Sequence, residues 1–219
     1  MHINPPIGVL GGTFDPIHVG HLRMGIELFE TLQLARIHVV PCYQPVHRGQ
    51  PVASVEDRVA MVKLAISDEP SLYYDSREID RKGASYMIDT LLHLNNELPT
   101  TPLCLLIGID AFLGFSHWHR ATEILDYAHL IVAHRPRYHL PATGIIAHLL
   151  KKHLRHDIQY IHEHMAGGIL LQPIASLDVS ASDIRKTIGM GRNPRYLLPD
   201  KVYDYLQQHG IYRNKVDTK

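Results

Sequence analysis

Ile7-Gly8-Val9-Leu10-Gly11-Gly12-Thr13-Phe14-Asp15-Pro16-Ile17-His18-Val19-Gly20-His21 is the stretch that decides the fold. Its first four residues are short, apolar and partly β-branched, and Gly11-Gly12 closes them, so they read as a buried strand. From 17 to 34 the apolar residues Leu22, Ile26, Phe29 and Leu32 recur three or four apart, the spacing of one helix face. A strand, a glycine-bearing turn and a helix in that order begin a βαβ unit. In open α/β sheets ligands gather at such turns, at the carboxyl ends of strands and the N-termini of helices.

The alternation continues outward from there. Ile37-His38-Val39-Val40 reads as a second strand stopped by Pro41, and the proline-bearing stretch 42–53 as a loop. Ser54 with Asp57 resembles an acidic capping box that opens a helix through about Ile66. Leu72 to Ile79 is expected to be a strand, 86–96 a helix, and Leu103-Cys104-Leu105-Leu106-Ile107 a central strand ended by Gly108. A helix near 119–126, the strand Leu130-Ile131-Val132-Ala133, a helix near 143–154 and a last strand at Ile169-Leu170-Leu171 follow. Two short helices close the chain, one starting at 181–183 and one running from Pro199 to about Gln208, with proline in its first turn. This pattern predicts an α/β fold, Rossmann-like and doubly wound. Its sheet is mostly parallel with helices on both faces, and a short helical C-terminal subregion spans about 180–212. Without repeats or linkers, residues 1–219 are expected to form a single domain.

Composition narrows the classes of function. The 22 basic and 22 acidic residues cancel, which argues against a nucleic-acid coat but leaves room for a basic pocket that holds one nucleotide. The hydrophobic fraction of 45% is that of an ordinary globular chain, so disorder is excluded as its main state. No apolar run approaches the ~18–20 residues of a membrane span, and Met1-His2-Ile3-Asn4-Pro5-Pro6 lacks the pattern of a signal peptide. Cytoplasm is therefore the expected compartment, where Cys42 and Cys104 would be two buried thiols. With 17 histidines in the chain, a single histidine is weak evidence of anything.

The glycine-bearing turn fails the two common phosphate-loop tests. No Lys-Ser/Thr pair follows it, and Gly8, Gly11 and Gly12 do not have G-x-G-x-x-G spacing. What remains is H-x-G-H opening a helix, with His18 and His21 on one face and Gly20 between them leaving the backbone open to a ligand. Two imidazoles at a positive helix end suit a phosphate chain. The rival readings are a metal pair and incidental surface histidines. A zinc site would want a third ligand at readable spacing, and His162-Glu163-His164 is not H-E-x-x-H, so no protein metal site is expected.

The string Gly11 to His21 resembles the signature of the H-x-G-H nucleotidyltransferase superfamily and, within it, of the bacterial nicotinate-nucleotide adenylyltransferases. The similarity runs from about Gly8 to Tyr212. Gly108-x-Asp110, then Trp118, then Arg135-Pro136 match that family's G-x-D, W and R-P series. Val179-Ser180-Ala181-Ser182-Asp183-Ile184-Arg185 matches I-S-x-T-x-I-R with Ser182 at the threonine position. Pro45-Val46-His47-Arg48 stands where P-P-H-K is usual and keeps the cation. Ser85-Tyr86-Met87-Ile88-Asp89-Thr90 resembles S-Y-T-x-x-T, with Met87 where threonine is usual.

The resemblance implies transfer of AMP from ATP to nicotinate mononucleotide, giving nicotinate adenine dinucleotide and pyrophosphate in NAD biosynthesis. Mg²⁺ would come bound to ATP. His18, His21 and Arg185 are the expected catalytic residues. Gly11, Gly12, Thr13, Phe14, Gly20, Gly108, Asp110, Ser180, Ser182 and Arg135 are expected on ATP, and Asp15, His47, Arg48, Ser85, Tyr86, Trp118 and His119 on the mononucleotide. Each also has a bland reading: Ser180 or Ser182 as a helix cap, Asp110 as an N-cap, Trp118 as core. Arg58 reads as a solvated helix residue, and 151–156 as a solvated basic helix face rather than a nucleic-acid patch. Partners beyond the two substrates are not expected, neither nucleic acid nor membrane, and a homo-oligomer is left open. The rivals are another enzyme of the superfamily (a pantetheine-phosphate adenylyltransferase or a cytidylyltransferase), a non-catalytic nucleotide-binding protein, and a histidine-rich metal binder.

Overall fold

The computed structural model describes residues 3–46, 49–134, 140–175 and 177–213. The strands are β1 (Ile7–Gly12), β2 (Ile37–Pro41), β3 (Gln44–Pro45), β4 (Leu72–Tyr74), β5 (Ala84–Ser85), β6 (Leu103–Gly108), β7 (His129–His134) and β8 (Ile169–Pro173). The helices are α1 (Val19–Leu32), α2 (Val55–Ile66), α3 (Arg77–Arg81), α4 (Met87–Glu97), α5 (Ile109–Leu113), α6 (Ile124–Tyr127), α7 (Gly144–His153), α8 (Tyr160–Glu163), α9 (Ala181–Gly189) and α10 (Asp200–His209).

Six of these strands form one sheet in the order β4-β2-β1-β6-β7-β8, every pair parallel. The sheet is buried on both sides, which is why its strands read as unbroken apolar runs. Along β6, Leu103, Leu105 and Ile107 enter one core while Cys104 and Leu106 enter the other. The first of these cores is closed by α4, α5, α6 and α7, the second by α1, α2, α9 and α10. The strand order reverses between β1 and β6. That is the switch point at whose carboxyl ends doubly wound sheets open a crevice.

The departures from expectation have local causes. The strand expected over Leu72 to Ile79 stops at Tyr74, because the next residue, Asp75, captures the Arg77 N–H at 3.0 Å and turns the chain into α3. Burial works to raise this carboxyl, but a 2.7 Å bond from His38 Nδ1 of β2 and the Arg77 guanidinium at 2.8 Å together outweigh it and hold it well below the usual range, at about 2. The helix expected near 119–126 begins late. Arg120 lies at φ 53, so a 3-10 turn (Ala121–Glu123) must precede α6. Pro199 is the residue before α10 rather than in its first turn. The loop 42–53 holds β3, whose parallel pairing with β5 brings the Pro45 loop beside Ser85 and Tyr86. The short α8 was not expected. Around it, side-chain hydrogen bonds from His129, His153 and His162 go to backbone carbonyls, so several of the 17 histidines are structural.

Candidate active site

A cleft of about 1030 Å³ opens over the carboxyl ends of β1 and β6, at the reversal of strand order. Every residue expected at the site that lies within the described residues lines it, from Gly11 through His21 to Ser85, Tyr86, Gly108, Asp110, Trp118, His119, Ser180, Ser182 and Arg185. His47, Arg48 and Arg135 lie outside the described residues.

At one end stand the two histidines. His18 is the N-cap of α1 and is 6% exposed. Its ring stacks on that of His21 with centroids 3.7 Å apart, and the edge of Phe14 meets His21 at 5.2 Å. The His18 backbone N–H donates to His21 Nδ1 at 3.3 Å, so a neutral His21 ring carries its proton on Nε2. Burial pushes His18 down to about 4, so the ring is neutral at pH 7. Its Nδ1 is buried and has no hydrogen-bond partner among the described residues. Gly20 has a second reason beside the one expected. A Cβ there would stand 3.0 Å from His18 Nδ1 and 3.1 Å from Cε1, so glycine also makes room for the imidazole.

Arg185, on α9, reaches the same end. Its guanidinium donates to the Asp15 carbonyl at 2.6 Å, stands 3.6 Å from the Asp15 carboxylate and bonds Ser182 Oγ at 3.3 Å. Ser180 is a helix cap: its Oγ accepts from the Asp183 N–H at 3.1 Å and donates to the Asp183 carboxylate at 2.7 Å. Across the cleft, Gly108 is the N-cap of α5 at an ordinary φ of -75, and a Cβ on it would meet nothing within 4 Å. Asp110 therefore does not cap the helix. It sits in the first turn, exposed.

The other end is aromatic. Trp118 is half-buried, braced by the buried ring of Phe115 with centroids 5.5 Å apart. His119 lies over Tyr86 at 4.2 Å. The loop that carries both is held by Arg120, whose guanidinium takes both oxygens of Glu123 at 3.0 and 2.7 Å. Met87, the departure from the family pattern, rests its methyl over Gly11, 2.3 Å from where a Cβ would be.

Three expected residues face the protein as much as the cleft. Phe14 is 2% exposed, and its ring packs in the core. The Asp15 carboxylate is engaged by the Tyr212 hydroxyl at 2.6 Å and by the Ala53 and Val52 N–H groups at 3.0 and 2.9 Å. Ser85 Oγ accepts from the Tyr43 N–H at 2.9 Å. Arg58 is a correction to the reading of the sequence: it is 0% exposed, not solvated. It donates to the carbonyls of Thr13 at 2.8 Å, Cys42 at 2.7 Å and Tyr43 at 3.1 Å, tying together the loops after β1 and β2. Its helix offered no signal for this, since those acceptors belong to distant segments.

The profile of the cytidylyltransferase-like family matches residues 9–187. A protein of Aeromonas hydrophila named "probable nicotinate-nucleotide adenylyltransferase" is 45% identical over 211 residues, 96% of this chain and 99% of its own length. The chain belongs to the nicotinate-nucleotide adenylyltransferase family. A relative of the same name from Cellvibrio japonicus is 42% identical over 96% of this chain and all of its own. Among solved structures, the Plasmodium falciparum nicotinic acid mononucleotide adenylyltransferase complexed with NaAD superposes with a TM-score of 0.72 at 16% identity, covering 95% of this chain and 98% of that one. At that identity the likeness concerns the fold alone, and it supports the Rossmann-like sheet. On one switch point the cleft joins an end lined by imidazoles and the Arg185 guanidinium to an aromatic end. No helix among the described residues is long and apolar enough to cross a membrane.

Proposed function

We propose that this cleft transfers AMP from ATP to the phosphate of nicotinate mononucleotide, releasing pyrophosphate. The observation that carries the reading is the convergence of His18, His21 and Arg185, from chain segments more than 160 residues apart, on one end of a cleft whose other end is walled by Trp118, Tyr86 and His119. The mononucleotide phosphate is already an anion, so the protein need not supply a nucleophile or a strong base. An oxygen of that phosphate attacks the α-phosphorus, the bond to the β-phosphate breaks, and the electron pair leaves with pyrophosphate. Catalysis is in-line positioning and stabilisation of charge on the transferred group and the leaving group.

In this reading His18, neutral, and His21 donate to phosphate oxygens, and Arg185 offsets the charge of the triphosphate. Gly108, with open space over its Cα, admits the adenosine, and Asp110 accepts from it. Trp118 stacks on the pyridine ring, while His47 and Arg48 hold the acceptor phosphate. No group of three or more His, Cys, Asp or Glu side chains converges on a common point among the described residues. In this reading Mg²⁺ arrives on the triphosphate and keeps most of its water. When bound, Mg²⁺ neutralises phosphate charge.

The family profile covers cytidylyltransferase-like chains, so the choice of nucleotide is a direct test. Pyrophosphate release is measured with ATP or CTP against a panel of acceptor phosphates. ATP with nicotinate mononucleotide is expected to be the productive pair. Turnover with CTP, or with phosphopantetheine alone, would move the chain to another activity.

A further inference from the structure

Tyr212 lies beyond α10, at the far end of the sequence from the histidines. It stands two residues after Gly210, which ends α10 at φ 61, and it holds φ 64 itself, in the left-handed region that bulky aromatic residues seldom enter. The side chain is 9% exposed. Tyr212 donates its hydroxyl to Asp15 Oδ1 at 2.6 Å, across 197 positions of sequence. Burial, reinforced by the adjacent Asp15 carboxylate, pushes this hydroxyl well above the usual tyrosine range, so it remains a donor at any working pH.

Asp15 in turn grips Arg185 twice, by its main-chain oxygen at 2.6 Å and by its carboxylate at 3.6 Å. A guanidinium on a flexible stem is an effective stabiliser of charge only where its direction is set beforehand. The Val52 and Ala53 N–H groups hold the carboxylate from one side. The phenol holds it from another.

We propose that Tyr212 is a positioning residue for the transfer, fixing Arg185 through Asp15 without touching substrate. The C-terminal segment thereby becomes a brace for the triphosphate end of the cleft. This role rests on the adenylyl-transfer reading above, in which Arg185 serves the triphosphate.

Tyr212→Phe removes one O–H and keeps the ring. The expected result is a fall in kcat of about 5- to 20-fold and a raised KM for ATP, with KM for nicotinate mononucleotide within about twofold of the unmodified protein. In an Arg185→Ala background the same substitution should change kcat by less than about twofold, because the two act as one unit. Thermal unfolding with and without ATP accompanies the kinetics, and the ATP-induced rise in Tm should shrink in Tyr212→Phe. Equal fold-losses in both backgrounds, or loss of Tm with unchanged kcat, would make Tyr212 a packing residue only and overturn the proposal. If the unmodified protein releases no pyrophosphate with any acceptor, the functional reading itself falls. If it does and Tyr212→Phe matches it, only the brace falls.

Discussion

Gly20→Ala separates the placing of His18 from the folding of α1, because its two effects have opposite signs. A new Cβ would stand 3.0 Å from His18 Nδ1 and 3.1 Å from Cε1, so the ring must retreat by about 0.3–0.5 Å to regain ordinary contact. It cannot move alone, since His21 is stacked on it at 3.7 Å. Both donors are thus displaced together. Removing one transition-state donor outright costs about 10²–10³ in turnover, and a misplacement of about 1 Å can cost about 10². A shift of a few tenths of an ångström acting on two donors should lower kcat about 10- to 50-fold. Stability should barely change: the preference of alanine over glycine, about 1 kcal/mol in a helix interior and less at this first-turn position, opposes the cost of the new contact. The assay is pyrophosphate release at saturating ATP and nicotinate mononucleotide, beside urea unfolding of both proteins. Turnover equal to that of the unmodified protein, at unchanged stability, would refute the argument, because the position of His18 would then not limit the reaction.

Arg58→Met should destabilise the protein by about 2–4 kcal/mol in urea, since three carbonyls lose a buried cationic donor; a loss under about 0.5 kcal/mol would show that those carbonyls find other partners. Stability should fall as pH drops from about 6.5 to about 4. Burial lowers both His18 and His129 to about 4, so the unfolded chain takes up their protons first, at about 1.4 kcal/mol per pH unit per histidine. His129→Gln, whose amide can still donate to the His164 carbonyl and accept from the Gly168 N–H, should flatten that dependence; an unchanged pH profile would remove His129 from it. Trp118→Ala should weaken nicotinate and nicotinamide mononucleotides in similar proportion, because stacking contributes affinity to either ring. The acid should still be preferred by about tenfold or more in kcat/KM, since an amide donor left unpaired costs about 1–3 kcal/mol, and competition of the two acceptors in one assay checks both statements.

The sheet was legible because both of its faces are buried. Continuous apolar runs such as Leu103 to Ile107 can only be central strands when helices cover both sides, and the helix spacing between the runs supplies the covers. Where the expectation for β4 missed, a side chain from the neighbouring strand intervened. Asp75, anchored by His38 of the neighbouring strand, ends β4, and no property of the stretch from Leu72 to Ile79 announces that partner.

The site divides along the same line. The amino-acid sequence alone placed the turn after β1 and the start of α1 at a ligand-binding position, because strand ends, turn glycines and first helical turns are local features. The other cleft residues were named by the sequence's resemblance to its family. It did not determine what each side chain would bind. Gly20 and Ser180 are chosen by contacts within or beside their own helices, while Arg58 and Asp15 are taken by groups from distant segments. The physical reason is that a charge or hydroxyl is defined by its nearest partners, and for Asp15 those are the amides of 52–53, the phenol of Tyr212 and the guanidinium of Arg185. Only the folded chain brings residues 52, 185 and 212 together around Asp15.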